Sequence, residues 1–137
     1  VRVCRPGGVI AMANWTPEGF IGRMFQTFAK FIAPPGMPAP ALWGKEDVVR
    51  ERFGHRVSDL RLTRVLYRFS YPFPPAEVVA FFRENYGPTT RAFAALDQTR
   101  GAELRAALES LWSSHNVSKD PSRTEVDAEY LEVVATR

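Results

Sequence analysis

The sequence predicts an α/β fold, a small sheet with helices packed on it. Three patterns carry that expectation. Val9-Ile10-Ala11-Met12-Ala13 is apolar on both faces, as a fully buried strand is. Phe20, Met24, Phe28 and Ile32 recur at helical spacing, with Ile21 and Phe25 beside them. Val65, Tyr67, Phe69 and Tyr71 alternate with Arg64, Leu66, Arg68 and Ser70, the period of a strand. The whole chain reads strand, helices, strand, helices, strand, as a single domain over 1–137.

Gly7-Gly8 leads into the first apolar run, and Asn14-Trp15-Thr16-Pro17 stops it. Thr16 is placed to cap a helix whose first position is Pro17, with Glu18 in its first turn. That helix ends at Pro34-Pro35. The stretch Pro34-Pro35-Gly36-Met37-Pro38-Ala39-Pro40 suits neither helix nor central strand. With Met37, Leu42 and Trp43 around it, it reads as a packed loop. Residues 45–53 form a short helix stopped by Gly54, with Val48, Val49 and Phe53 as its apolar face.

Residues 57–71 read as one long strand or two joined by a bulge. Leu60 and Leu62 take the opposite parity to Val65 and its successors, so a bulge or twist is expected near Thr63. Pro72, Pro74 and Pro75 end the strand. Residues 77–86 form an amphipathic helix, with Val78, Val79, Phe82 and Tyr86 on one side and Gly87-Pro88 as its end. Residues 89–96 add a turn or two. Residues 103–114 form a third clear helix, faced by Leu104, Leu108, Leu111 and Trp112. The last strand spans 124–136. Val126, Ala128 and Tyr130 alternate with acids, and then Leu131, Val133, Val134 and Ala135 are apolar on both faces. It runs from a half-exposed end into a buried centre.

Composition excludes several classes. Hydrophobic residues make up 45% and aromatics 12%, too much for a disordered chain. One cysteine, Cys4, allows no internal disulfide and no Cys-rich zinc site. Its bland role is to start a strand, although Arg5 beside it could lower the thiol pKa. No apolar run is long enough to span a membrane, and the start lacks the apolar core of a signal peptide. The expectation is a reduced, cytoplasmic protein with no membrane partner. Net charge is +3, and 15 of the 18 cations are Arg, interleaved with acids. A nucleic-acid footprint would gather them on one face. Arg61, Arg64 and Arg68 come nearest, and they read as the solvated side of a strand. No nucleic-acid partner is expected.

Cys4-Arg5-Pro6-Gly7-Gly8 ahead of a buried strand resembles the turn that leads into the fifth sheet strand of class I S-adenosylmethionine-dependent methyltransferases. Ala13-Asn14-Trp15-Thr16-Pro17-Glu18-Gly19-Phe20, Ala41-Leu42-Trp43-Gly44 and Phe82-Arg83-Glu84-Asn85-Tyr86-Gly87-Pro88 are similar, in that order, to one bacterial subgroup. The resemblance covers nearly the whole chain. It implies a partial Rossmann-like sheet, strands five, seven and six in that spatial order, with strand seven antiparallel and three to five helices packed around. It also implies a full-length parent that uses S-adenosyl-L-methionine to methylate a small-molecule acceptor. The Gly-rich loop and the ribose-binding acid of that family have no counterpart here, because Gly7-Gly8 precedes a strand rather than following one. The chain therefore reads as a carboxy-terminal half, from a truncated or mis-started frame or a deliberate shortening. It is expected to bind no cofactor alone. The run Val9-Ile10-Ala11-Met12-Ala13 then becomes an edge, and two copies are expected to pair through it or to swap elements.

Methyl transfer chiefly requires alignment of donor and acceptor, with a base only where the acceptor must lose a proton. Ligands in such sheets sit at the carboxyl ends of strands. That position falls on Asn14, Trp15 and Thr16, which could orient and stack an acceptor, or could be a core tryptophan and a capping pair. Glu18 could act as a base or hold a cation, or simply favour the helix dipole. Phe20, Met24 and Phe28 could wall an acceptor pocket or be plain core. The loop 34–43, with Trp43, could be a lid or a packed connection. His115 is the better candidate for proton transfer, against His55 at a turn. Both otherwise read as surface or helix-end histidines. Neither has partners at metal spacing, so no metal is expected. The rival to a methyltransferase is a non-catalytic homodimeric module that binds a small ligand or a partner.

Overall fold

The computed structural model describes residues 1–33, 36 and 39–137. Three strands appear among them: β1 (Val9–Trp15), β2 (Asp59–Tyr71) and β3 (Thr124–Thr136). So do five α-helices: α1 (Phe20–Ala29), α2 (Glu46–Phe53), α3 (Pro75–Asn85), α4 (Gly87–Ala94) and α5 (Gln98–His115). Short 3-10 turns cover Pro40–Gly44 and Gly54–Arg56. The strands form one antiparallel sheet in the order β1-β3-β2. The last strand in sequence is thus the middle strand in space. β1 pairs β3 antiparallel, from Val9 opposite Thr136 to Trp15 opposite Tyr130.

Two compact units divide the described residues. The first is Val1–Gly22, Pro38–Tyr67 and Ala128–Arg137. Its core joins Val49 and Phe53 of α2 to Leu131, Val133 and Ala135 of β3. Ile10, Met12, Leu60 and Leu62 pack against it, half-buried. Gly54 ends α2 at a φ of +51°, a conformation that glycine adopts without steric penalty. Val49 and Phe53 are buried, while Val48 is half-buried.

β1 departs from its expected burial. Ile10 and Met12 lie on the packed face, but Val9, Ala11 and Ala13 are exposed, Val9 at 63%. The strand is an edge, hydrogen-bonded to β3 alone among the described residues. Its sequence is apolar on both faces, and this chain covers one of them.

The second unit is Arg23–Met37 and Arg68–Asp127. Val78, Val79 and Phe82 of α3, Ala92 and Phe93 of α4, and Leu104, Leu108 and Trp112 of α5 are buried there. An aromatic cluster forms its centre, with Phe82 and Trp112 ring centroids 5.0 Å apart and Phe69 and Tyr71 both edge-on to the same pair. Such contacts add to the area buried. Asp97 caps α5, its Oδ1 accepting from the Arg100 N–H at 2.8 Å.

Two local expectations need correction. α1 starts at Phe20, not Pro17, because residues 17–19 form a bend closed by the Gly19 N–H on the Thr16 carbonyl at 3.2 Å. It stops at Ala29, so Ile32 lies beyond the helix in a turn where the Phe31 and Ile32 N–H groups both bond the Phe28 carbonyl. The switch of face near Thr63 is present, with Leu60 and Leu62 half-buried and then Val65, Phe69 and Tyr71. It is not confined to β2. β3 buries Thr124, Val126 and Ala128, then Leu131, Val133 and Ala135. A bulge in one strand would put it out of phase with its neighbour. Both strands change parity in their burial.

Candidate functional site

The carboxyl end of β1 gathers three of the expected residues. Thr16 is fully buried, and both its N–H and its hydroxyl donate to the Glu129 carbonyl, at 3.1 and 3.3 Å. It therefore anchors the strand end to β3 and caps no helix. Trp15, opposite Tyr130 in the register, meets that ring edge-on with centroids 6.0 Å apart. Asn14 points to the other face, by alternation along the strand. Its amide nitrogen is shielded from solvent and makes no hydrogen bond to the protein. Buried amide donors are ordinarily satisfied, so this one is costly to keep.

Trp43 is brought to the same strand by a glycine. A side chain on Gly44 would overlap the Trp15 carbonyl and come within 2.8 Å of the Thr16 Cα. This close approach holds the turn Pro40–Gly44 against the strand end. Trp43 is half-buried, edge-on to Phe53 at 6.4 Å, with the Arg52 guanidinium 4.2 Å over its ring. Gly44 enters the sequence reading only as part of the motif Ala41-Leu42-Trp43-Gly44, and Arg52 carries no local signal, because the meaning of both comes from tertiary neighbours. Of the loop 34–43, Pro34, Pro35, Met37 and Pro38 lie outside the described residues, and with them part of the expected lid.

The remaining candidates fall elsewhere. Glu18 is exposed in the bend before α1 and lies outside its first turn, so the helix-dipole reading does not hold. Phe20 and Met24 are 2% and 1% exposed, and their burial leaves no surface for an acceptor. Met24 belongs to the second unit. So does His115, at the end of α5, where Nδ1 lies 2.9 Å from the Leu111 carbonyl and 3.1 Å from the Ser114 hydroxyl. A proton on Nδ1 satisfies the carbonyl, a helix-end role. Asn14, Trp15, Thr16 and Trp43 are the residues brought together. Asn14, by alternation, shares the side of β1 that carries Ile10 and Met12, against which Trp43 packs, and Trp15 faces the other side.

Charge on β2 is matched locally. Arg64 bonds Glu46 at 3.2 Å and Glu129 at 3.0 Å. Arg68 takes both oxygens of Asp127, at 2.7 and 2.9 Å. The hydrogen bond to Glu46 and the charge of Glu129 raise the Arg64 pKa, and Asp127 does the same for Arg68. Arg68 in turn holds the Asp127 carboxyl below its ordinary value. These guanidiniums are committed to carboxylates rather than presented as a phosphate-binding row. Among the described residues no group of three His, Cys, Asp or Glu side chains could hold a metal ion, and no helix is long and apolar enough to cross a membrane.

No family model matches the chain. It is similar to bacterial proteins that carry no assigned function. Uncharacterized proteins of Mycobacterium bovis and Mycobacterium tuberculosis are 42% identical over 97 residues, which is 69% of this chain and 35% of each relative. A further uncharacterized Mycobacterium tuberculosis protein is 39% identical over 100 residues, with the same shares. The chain spans about a third of the length of the curated relatives it matches.

Proposed function

We propose that this chain is the acceptor-side part of a methyltransferase-family protein, whose parent transfers a methyl group from S-adenosylmethionine to a small molecule. The observation that carries the reading is the sheet itself. Its order is β1-β3-β2, β3 runs antiparallel, and β1 is an apolar strand with one edge and one face open. The open side of β1 suits a strand that the parent would supply, and relatives longer than the chain are consistent with one.

The residues present do not fit the cofactor. Gly7 and Gly8 lie before β1, in a turn where the Gly7 N–H bonds the Arg137 carbonyl at 2.7 Å and the Gly8 N–H bonds the Arg5 carbonyl at 2.9 Å. The carboxyl end of β1 runs into buried Thr16 and a tight bend, with no Gly-rich loop at a helix start. What this chain offers toward an acceptor is the side of the β1 end that carries Asn14 and Trp43. Calorimetric titration of S-adenosylmethionine tests the reading in two arms. The full-length Mycobacterium tuberculosis relative should bind it, and this chain should not. A relative that fails to bind overturns the methyltransferase reading. Micromolar binding to this chain alone overturns the claim that the cofactor site is missing.

The open edge of β1 favours a second reading, a homodimeric binding or interaction module that pairs through Val9, Ala11 and Ala13. The two readings differ in what covers that edge, a further segment of a parent or a second copy.

A further inference from the structure

On the packed side of the first unit, a half-open cavity of about 260 Å³ is lined by Ile10, Met12, Trp43 and Phe53, with Arg52 and Arg56 among its walls. The apolar residues belong to β1, the turn Pro40–Gly44 and α2. The Arg52 guanidinium lies over the Trp43 ring, and its Nη1 is shielded from solvent without a hydrogen bond to the protein. Arg56 donates from Nε to the Phe53 carbonyl at 3.4 Å and from Nη2 to the Arg52 carbonyl. Among the described residues neither guanidinium is ion-paired to a carboxylate, in contrast to Arg64 and Arg68. A shielded cationic donor with no acceptor is costly, and an anion relieves it.

We propose that this cavity binds a small carboxylate bearing an apolar ring or short chain. The carboxylate accepts from the Arg52 and Arg56 guanidiniums where they line the cavity, the charge-assisted pairing that guanidinium geometry favours. The apolar part lies against Ile10, Met12 and Phe53, at the edge of Trp43. A cavity of about 150 Å³ admits benzene, so the larger volume here has room for a ring and a carboxyl-bearing arm. The apolar lining selects against inorganic phosphate, which would meet the arginines and leave the rest of the cavity unused. This assignment rests on the residues of this chain and stands or falls separately from methyl transfer.

The test is a nuclear magnetic resonance titration of the 137-residue chain with hydrocinnamate, its neutral amide and inorganic phosphate. Hydrocinnamate should give saturable shifts at Met12, Trp43 and Arg52, with the amide about tenfold or more weaker and phosphate weaker still. Arg52→Gln should reduce hydrocinnamate to the level of the amide while the amide's own affinity stays. If Arg52→Gln loses spectral dispersion, Arg56→Gln is read in its place and should weaken hydrocinnamate alone. Absence of saturation, equal binding of acid and amide, phosphate binding as tight as hydrocinnamate, or a preference that survives the substitution read would each overturn the proposal.

Discussion

Arg68 grips Asp127 with two parallel hydrogen bonds, Nε to Oδ1 at 2.7 Å and Nη2 to Oδ2 at 2.9 Å. This contact depresses the Asp127 pKa below its ordinary 3.8. A carboxyl held low in the folded state binds its proton more readily when unfolded. Its contribution to stability is therefore complete above the ordinary value and is lost as pH falls through the lowered one. Melting temperature followed by circular dichroism through and below pH 3.8 should fall less steeply for Asp127→Asn than for the parent chain. Equal slopes would remove this pair from the acid response. Both side chains are solvated, so added salt should shrink the difference.

Gly44→Ala should destabilise the chain by about 1–3 kcal/mol, the usual cost of forcing atoms into packed space. The new methyl would meet backbone at Trp15 and Thr16, which cannot swing aside. Gly87→Ala is the control, since nothing lies within 4 Å of the Cβ it would add. Urea unfolding curves should separate the two, and a tolerated Gly44→Ala would contradict the close approach.

Asn14→Leu should stabilise the chain by about 1 kcal/mol, because it removes a shielded amide that has no partner in the protein. A gain of this kind marks a residue kept for something other than folding. Loss of stability on the same substitution would mean that the amide is satisfied in solution, and Asn14 would cease to be a binding candidate.

Trp112→Ala should cost about 3–5 kcal/mol, since the ring is fully buried and packs against Phe82 at 5.0 Å. Combined with Phe82→Ala, the loss should be smaller than the sum of the two singles, because both remove one shared contact. Chemical denaturation of the four proteins in the cycle measures the coupling. Strict additivity would show that the aromatic cluster is not a unit.

Ala11→Lys places a charge in the middle of the open strand, on its exposed face. Stability should change by less than about 0.5 kcal/mol. Self-association measured by light scattering should decrease if two copies meet at this edge. A parent chain that is already monomeric at high concentration rules the homodimer out.

Much of the fold was legible because its signals are local. Spacing marked α2 and its glycine stop, the apolar faces of α3 and α5, and β3. The order of strands came from a resemblance, since no periodicity reveals which strand lies in the middle. The start of α1 is not legible from local sequence, for a definite reason. Thr16 has the chemistry of a cap, but its hydroxyl spends its hydrogen bond on Glu129, 113 residues away in sequence. Alternation flagged the face switch near Thr63, yet its cause needed β3 beside β2. The site was less legible than the fold. Asn14, Trp15 and Trp43 could be pointed to by position, whereas the unmet donor on Arg52 depends on which side chains surround it. Phe20 and Met24 have the spacing of a pocket wall or of a core, and only burial decides between them.

β3 joins β1 to β2, and it is the last of the three to be made. During synthesis β1 and β2 emerge before β3, the strand that each of them pairs with in this sheet. Residues 9–15 must wait until residues 130–136 have emerged. Pairing of β1 with its neighbour is thereby deferred across more than a hundred residues of synthesis, and a nascent chain stalled before Thr124 would display the apolar strand Val9–Trp15 to a chaperone or to another nascent chain.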